Sequence, residues 1–177
     1  MWDILHAVLP VARDALGGPV AILPAFWAWR VGPGEEGWPP HRDNPSRARD
    51  DAGELVAVTI WVPLTDATTR NGCIHCVPSY WDYGYLNPKA DAIISQARCI
   101  RALPAAAGSI LGWSHALLHW GGACGPDEPP RMATSFELIR EHQGAPISYP
   151  STWRPDRAER ATILEEMRVR YAHMREP

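Results

Sequence analysis

The chain has 177 residues and a formal charge of −3, with a pI near 6.1. That is one domain's worth of sequence, expected to fold as a single unit over residues 1–177; at this length roughly 70% of the unfolded chain's surface can be buried without disulfide or metal staples. A weakly acidic balance with scattered arginines excludes a general nucleic-acid binder, which carries a basic stripe. No apolar run of about 18 residues spans a membrane. The segment Met1–Pro10 has neither a basic n-region nor a small-residue cleavage site, so a cytoplasmic protein is expected.

Eighteen prolines and nine tryptophans favour many short elements and turns, a β-rich fold over a helix bundle. A first helix is expected from Trp2 to about Leu16, with Ile4, Leu5, Val8, Leu9 and Ala12 at helical spacing and Gly17-Gly18 at its end. Pro19 to Val31 is rich in β-branched and aromatic residues and reads as one or two strands. A turn over residues 32–37 and a polar loop over 44–53 flank the His41–Asp43 region. Leu55 to Pro63 is the clearest strand, and its near-continuous apolar character points to burial on both faces.

Further along, Cys73–Val77 reads as a short strand, Tyr80 to about Asn87 as an aromatic loop and Asp91–Cys99 as a short helix. Strand pieces are expected at Ala107–Trp113 and Ala116–Trp120, and a full strand at Arg131–Ile139. A last helix should run from Pro155 to about His173, with Pro155 in its first turn and Ile163, Leu164, Met167 and Tyr171 on its apolar face. Short strands between turn clusters imply an antiparallel sandwich of the jelly-roll kind, with an N-terminal and a C-terminal helix.

The chemistry-bearing residues begin with His41-Arg42-Asp43. On extended backbone, residues i and i+2 share a face, so an imidazole and a carboxylate stand side by side as two metal ligands. Alone, the pair reads first as a surface salt bridge. His119 sits late in an apolar strand, and Arg131 follows across a Gly/Pro-rich turn, so antiparallel neighbours would bring the two close. A planar guanidinium binds a carboxylate in bidentate fashion. Two imidazoles and one carboxylate leave open positions on an octahedral iron(II). His115 reads as packing or support behind the ligands. By alternation Thr59 shares a face with Trp61; Trp61 itself reads first as core. Cys73, Cys76, Cys99 and Cys124 contain one C-x-x-C and no second, which favours buried thiols over a zinc site.

Four segments carry a resemblance to a known family: Gly37-Trp-Pro-Pro-His-Arg-Asp43, Val58-Thr-Ile-Trp-Val-Pro-Leu-Thr-Asp66, Asn71-Gly-Cys-Ile-His-Cys-Val-Pro78, and Gly108 to Arg131 with His115-Ala-Leu-Leu-His-Trp-Gly-Gly122 inside it. Together they resemble the phytanoyl-CoA dioxygenase family of iron(II)/2-oxoglutarate oxygenases. The resemblance implies a double-stranded β-helix, iron(II) held by His41, Asp43 and His119, and 2-oxoglutarate clamped by Arg131; Thr59, on the Trp61 face by alternation, is expected to border that co-substrate. It implies hydroxylation of a C–H bond in a small-molecule substrate, with dioxygen consumed and 2-oxoglutarate decarboxylated to succinate. Two departures stand out: only forty residues precede His41, and Ala133 stands where related oxygenases often carry serine, with Thr134 and Ser135 adjacent. Asp43 opposes a halogenase, in which this carboxylate is replaced. A cupin-like metal- or ligand-binding module without turnover is the alternative reading. A zinc hydrolase would need a general base beside the metal, and the sequence names none.

Overall fold

The computed structural model describes residues 1–86, 99–141, 143 and 147–170. Helix α1 (Trp2–Leu16) is followed by strands β1 (Val20–Val31), β2 (Ala57–Pro63), β3 (Ile74–Cys76), β4 (Arg101–Leu103), β5 (Leu111–Ser114), β6 (His119–Gly121), β7 (Arg131–Arg140) and β8 (Tyr149–Pro150), then helix α2 (Arg157–Arg170). Two antiparallel sheets face each other, a larger one in the order β5-β2-β7-β1-β8 and a smaller one in the order β4-β3-β6. This is the jelly-roll, double-stranded β-helix architecture that the strand pattern implied, flanked by a helix at each end.

The centre of the larger sheet, β2 and most of β7, is buried on both faces. One side of β2 and β7 carries Val58, Ile60, Val62, Phe136 and Leu138, which pack with Leu5, Val8, Leu9, Ala12 and Leu16 of α1 and with Ile163 and Met167 of α2. The opposite side points between the sheets and carries Thr59, Trp61, Arg131, Ser135 and Glu137. Period-2 alternation therefore sorts each strand into a helix-covered face and a face towards the space between the sheets. All seven residues of β2 are buried, as its apolar run implied.

Several boundaries differ from the sequence reading. The expected one or two strands over Pro19–Val31 form one, Val20–Val31, with its register against β7 shifting between Ile22 and Phe26, around Pro24. The expected strand at 107–113 is only Leu111–Ser114, because Gly108 takes a positive φ in a turn. The piece at 116–120 is shortened to His119–Gly121, since Leu117 N–H returns to the Ser114 carbonyl in a turn. Pro155 lies ahead of α2 instead of in its first turn. The helix is opened by Asp156 and Glu159, which exchange side-chain hydrogen bonds with each other's backbone N–H (2.9 and 2.7 Å), a reciprocal cap. Leu164 is half-exposed and does not join the buried face of Ile163 and Met167. The expected helix at Asp91–Cys99 lies outside the described residues apart from Cys99, as does Tyr171.

Phe136 sits at the centre of the layer between sheet and helices and is fully buried. Phe136→Ala is expected to cost about 3–5 kcal/mol by loss of transfer energy and creation of a cavity, read as a lower urea midpoint with an unchanged denaturant slope.

Candidate metal centre

His41 and His119 are brought together by backbone pairing. They face each other across an antiparallel bridge, with hydrogen bonds from His41 N–H to the His119 carbonyl (2.9 Å) and back (3.0 Å). Directly opposed residues hold their side chains close, and the two ring centroids lie 4.4 Å apart. Each imidazole Nδ1 lies within hydrogen-bond distance of a carbonyl two residues earlier, Pro39 at 2.8 Å and Leu117 at 3.0 Å. A carbonyl only accepts, so Nδ1 carries the proton in both rings and each Nε2 keeps its lone pair.

Those two lone pairs point at one carboxylate oxygen. Asp43 Oδ1 lies 3.5 Å from His41 Nε2 and 3.6 Å from His119 Nε2. The other oxygen, Oδ2, is already engaged: it accepts from Thr59 Oγ1 at 2.6 Å and from Trp113 Nε1 at 3.0 Å. Ligand atoms of His41, Asp43 and His119 all lie within 4.8 Å of one another, a group able to hold a metal ion. Burial alone would raise the Asp43 pKa, but the neighbouring imidazoles, which attract the carboxylate when they take up a second proton, and the Thr59 hydroxyl outweigh it and hold the carboxyl well below its usual range. Burial pushes His119 down, against the pull of Asp43, which keeps its ring neutral and available as a ligand.

The triad opens on a cavity of about 230 Å³ between the sheets. At another part of its wall stands Arg131, only 3% exposed. Its Nε donates to the Gly72 carbonyl at 2.9 Å, and its guanidinium carbon sits 5.7 Å from the centroid of the Trp61 ring. Among the described residues no carboxylate pairs with it. Two glycines make this packing possible. Gly72 has φ 93° and a Cβ there would strike the Gly122 carbonyl, while a Cβ on Gly121 would come within 2.9 Å of Arg131 Nη2.

A sequence profile described as Phytanoyl-CoA dioxygenase (PhyH) matches residues 3–133, most of the chain. The chain belongs to this family. No curated protein sequence matches it. Solved structures with the same fold include the non-heme alpha ketoglutarate dependent epimerase SnoN from nogalamycin biosynthesis, with 20% identity, a TM-score of 0.62 and alignment over 87% of this chain and 71% of SnoN. The non-heme monooxygenase ThoJ, as a nickel complex, has 16% identity and a TM-score of 0.67, over 94% of this chain and 69% of ThoJ. EctD from S. alaskensis, solved with 2-oxoglutarate and 5-hydroxyectoine, has 18% identity and a TM-score of 0.59, over 82% of this chain and 53% of EctD. SnoN and ThoJ are thus non-haem enzymes, an epimerase and a monooxygenase. No described helix is long and apolar enough to cross a membrane.

The sequence candidates divide as follows. His41, Asp43 and His119 come together, and Arg131, Thr59 and Trp61 line the same cavity. Thr59, expected beside a co-substrate, donates its hydroxyl hydrogen bond to Asp43. Trp61 is core and cavity wall at once. Of the two hydroxyls near Ala133, Thr134 donates to the Trp27 carbonyl, while Ser135 accepts from Trp29 Nε1 and lines the cavity. His115 is fully buried, in a turn that separates it from His119, and takes no place in the triad. The four cysteines are free and buried. In the aromatic loop Tyr80, Trp81 and Tyr83 are exposed.

Three participants escaped the sequence reading. The sequence pattern marks Trp113 only as a strand residue, whereas its Nε1 donates to Asp43 Oδ2. Arg42, between two ligands, forms a buried bidentate pair with Asp82 (2.6 and 2.8 Å) and donates to the Ala116 carbonyl, tying the ligand segment to the aromatic loop. Glu137 is an acid on the cavity face of β7, and an acid in a strand otherwise free of them was a signal available in the sequence.

Burial, with Asp43 nearby, lifts the Glu137 pKa from 4.5 to about 8, and burial lowers His115 from 6.5 to about 4. Between 4.5 and 8 the folded chain therefore holds a proton on Glu137 that the unfolded chain has lost, so stability falls as pH rises. His115 acts oppositely between about 4 and 6.5, where the unfolded chain binds the extra proton. Above 6.5 only the Glu137 effect remains of the two. The metal-free protein is thus expected to lose stability from pH 6.5 to 8, and Glu137→Gln to flatten that slope; urea titrations at the two pH values read both.

Proposed function

We propose that the chain is an iron(II)/2-oxoglutarate-dependent dioxygenase, a hydroxylase of a small-molecule C–H bond, working as one domain over residues 1–177. The observation that carries this reading is one cavity lined by two imidazoles and a carboxylate on one side and, on another, a buried guanidinium with no counter-ion among the described residues. The donor set suits iron(II): two neutral imidazole nitrogens and one carboxylate oxygen, each with its other polar atom already bonded to protein. Arg131 suits the far carboxylate of a 2-oxo diacid, because a buried cation without a partner is costly and a planar fork takes a carboxylate by two hydrogen bonds.

When bound, the iron and 2-oxoglutarate supply the oxidising chemistry with dioxygen and release succinate and carbon dioxide; the chain's part is binding, orientation and exclusion of water. Thr59 and Trp113 fix the Asp43 carboxylate so that only Oδ1 is presented. The carbonyls of Pro39 and Leu117 fix the tautomer and rotation of the two rings. Trp61 floors the co-substrate end, and Trp27, Trp29 and Trp113 add apolar wall that keeps bulk water from the reacting centre. A cupin-like binding module without turnover would share the metal site but release no succinate.

His41→Ala and Asp43→Ala are each expected to abolish iron retention and succinate release while leaving the fold intact, by metal analysis, a coupled assay and circular dichroism. Full activity in either variant would overturn the ligand assignment. Arg131→Ala should retain iron and lose 2-oxoglutarate affinity. Truncating one partner of a buried charge-assisted pair costs about 2–5 kcal/mol, or about 30-fold or more in affinity. Anaerobic titration of 2-oxoglutarate into the iron-loaded protein, followed by its charge-transfer absorbance, measures it. Arg131→Lys should recover only part, since an ammonium lacks the planar fork.

A further inference from the structure

The cavity contains a second ionisable group for which the proposed co-substrate gives no use. Glu137 lies on the same face of β7 as Arg131, six residues further along, which is about 20 Å of strand. Its register partner on β2 is Thr59, the residue that holds Asp43, so Glu137 stands level with the metal ligands. A small diacid running from Arg131 to the metal leaves Glu137 unused.

Glu137 also lacks a partner of its own. Its carboxylate accepts no hydrogen bond among the described residues, and the nearest ionisable group is His115, with Nε2 3.9 Å from Oε2. His115 cannot neutralise it: the ring is fully buried, both its nitrogens are without hydrogen-bond partners, and burial keeps it uncharged. Arg47 acts only as a more distant charge, Arg42 is committed to Asp82 and Arg131 stands at the other end of the cavity. Buried carboxylates in folded proteins are paired or face something that pairs with them. The adjacent wall is aromatic: Trp27 and Trp29 are stacked 5.4 Å apart and both line the cavity. A carboxylate beside indole faces is a setting that stabilises an organic cation, by charge and by the ring quadrupole together.

We propose that Glu137 is the specificity-determining group for the prime substrate, and that this substrate carries a protonated amine held between the Glu137 carboxylate and the Trp27–Trp29 wall. The inference rests on the preceding reading only for the position of the co-substrate. The cavity then sorts its two ligands by charge, an anion at Arg131 and an ammonium group at Glu137, level with the metal ligands; Glu137 holds a proton while the cavity is empty and releases it to solvent as the ammonium group binds beside it. His115 acts as a neutral spacer that packs behind the carboxylate without cancelling its charge.

Hexylamine and its neutral counterpart 1-hexanol serve as probes. Each is titrated into the full-length protein, with iron and 2-oxoglutarate under anaerobic conditions and again without them, following tryptophan fluorescence. The expected result is saturable binding of hexylamine, tighter than that of hexanol and weakened at least about tenfold by Glu137→Gln, which keeps size but removes charge. Glu137→Asp should preserve the preference for the amine. The proposal is overturned if amine and alcohol bind alike, if hexylamine shows no saturable binding, or if Glu137→Gln leaves its affinity unchanged. Titrating 2-oxoglutarate into the same proteins separates the two readings. Normal co-substrate binding with an indifferent Glu137 defeats this inference alone, whereas Glu137-dependent amine binding with no 2-oxoglutarate binding defeats the co-substrate reading alone.

Discussion

The site depends on how one carboxylate is shared. Asp43 gives Oδ2 to Thr59 and Trp113 and keeps Oδ1 for the space between two imidazoles. Thr59 and Trp113 are register partners on neighbouring strands of the larger sheet. His119 belongs to the smaller sheet, and His41 is bridged to it. The aspartate is therefore the point at which the two sheets meet across the cavity, with Oδ2 held from the larger sheet and Oδ1 facing the two histidines. If the Thr59 or Trp113 bond were lost, Asp43 could rotate and the common focus of the three donors would disappear. The stiffness of that focus comes from backbone pairing and from donors on β-strands, which position groups more tightly than loops do.

The second constraint is charge in a dry cavity. Arg131 and Glu137 occupy one face of one strand and neither has an opposite charge beside it among the described residues. A buried guanidinium without a partner, and a carboxyl that burial makes hold its proton, would each cost stability if the cavity existed only to be filled by side chains. A barrel interior that needed only packing would carry apolar residues at both positions, as β7 does at Ala133 and Ile139. The tryptophans make the arrangement more consequential, since apolar walls strengthen whatever electrostatic contact a ligand makes. The Arg42–Asp82 pair behaves differently: it is buried but satisfied, and it serves to hold two loops at the rim.

What could be read in the sequence follows the range of the forces involved. Helix α1 and strands β2 and β7 are dominated by local periodicity and apolar content, and they formed close to where the pattern put them. Strands β4 and β8 were missed because they are three and two residues long and exist only by pairing with neighbours. The pieces at 107–113 and 116–120 were drawn too long, because turns at Gly108 and Leu117 cut into apolar runs that look continuous. The Asp156–Glu159 cap was visible as a D-x-x-E spacing and was passed over in favour of Pro155.

By itself the sequence determined the ligand types and their spacing: a histidine and an aspartate two apart on extended backbone, a later histidine, and an arginine twelve residues beyond it, in an order similar to that of a known family. The tertiary structure alone decided which oxygen of Asp43 is free, that His115 sits behind the ligands and His119 among them, that Thr59 serves the carboxylate, and that Glu137 faces the cavity unpaired. These are outcomes of strand register between segments as far apart as His41 and His119, or Thr59 and Glu137. A one-residue slip in such a register would turn each side chain to the opposite face. Local sequence constrains conformation over a few residues, and only the closed pairing of the sheets fixes which polar atoms meet.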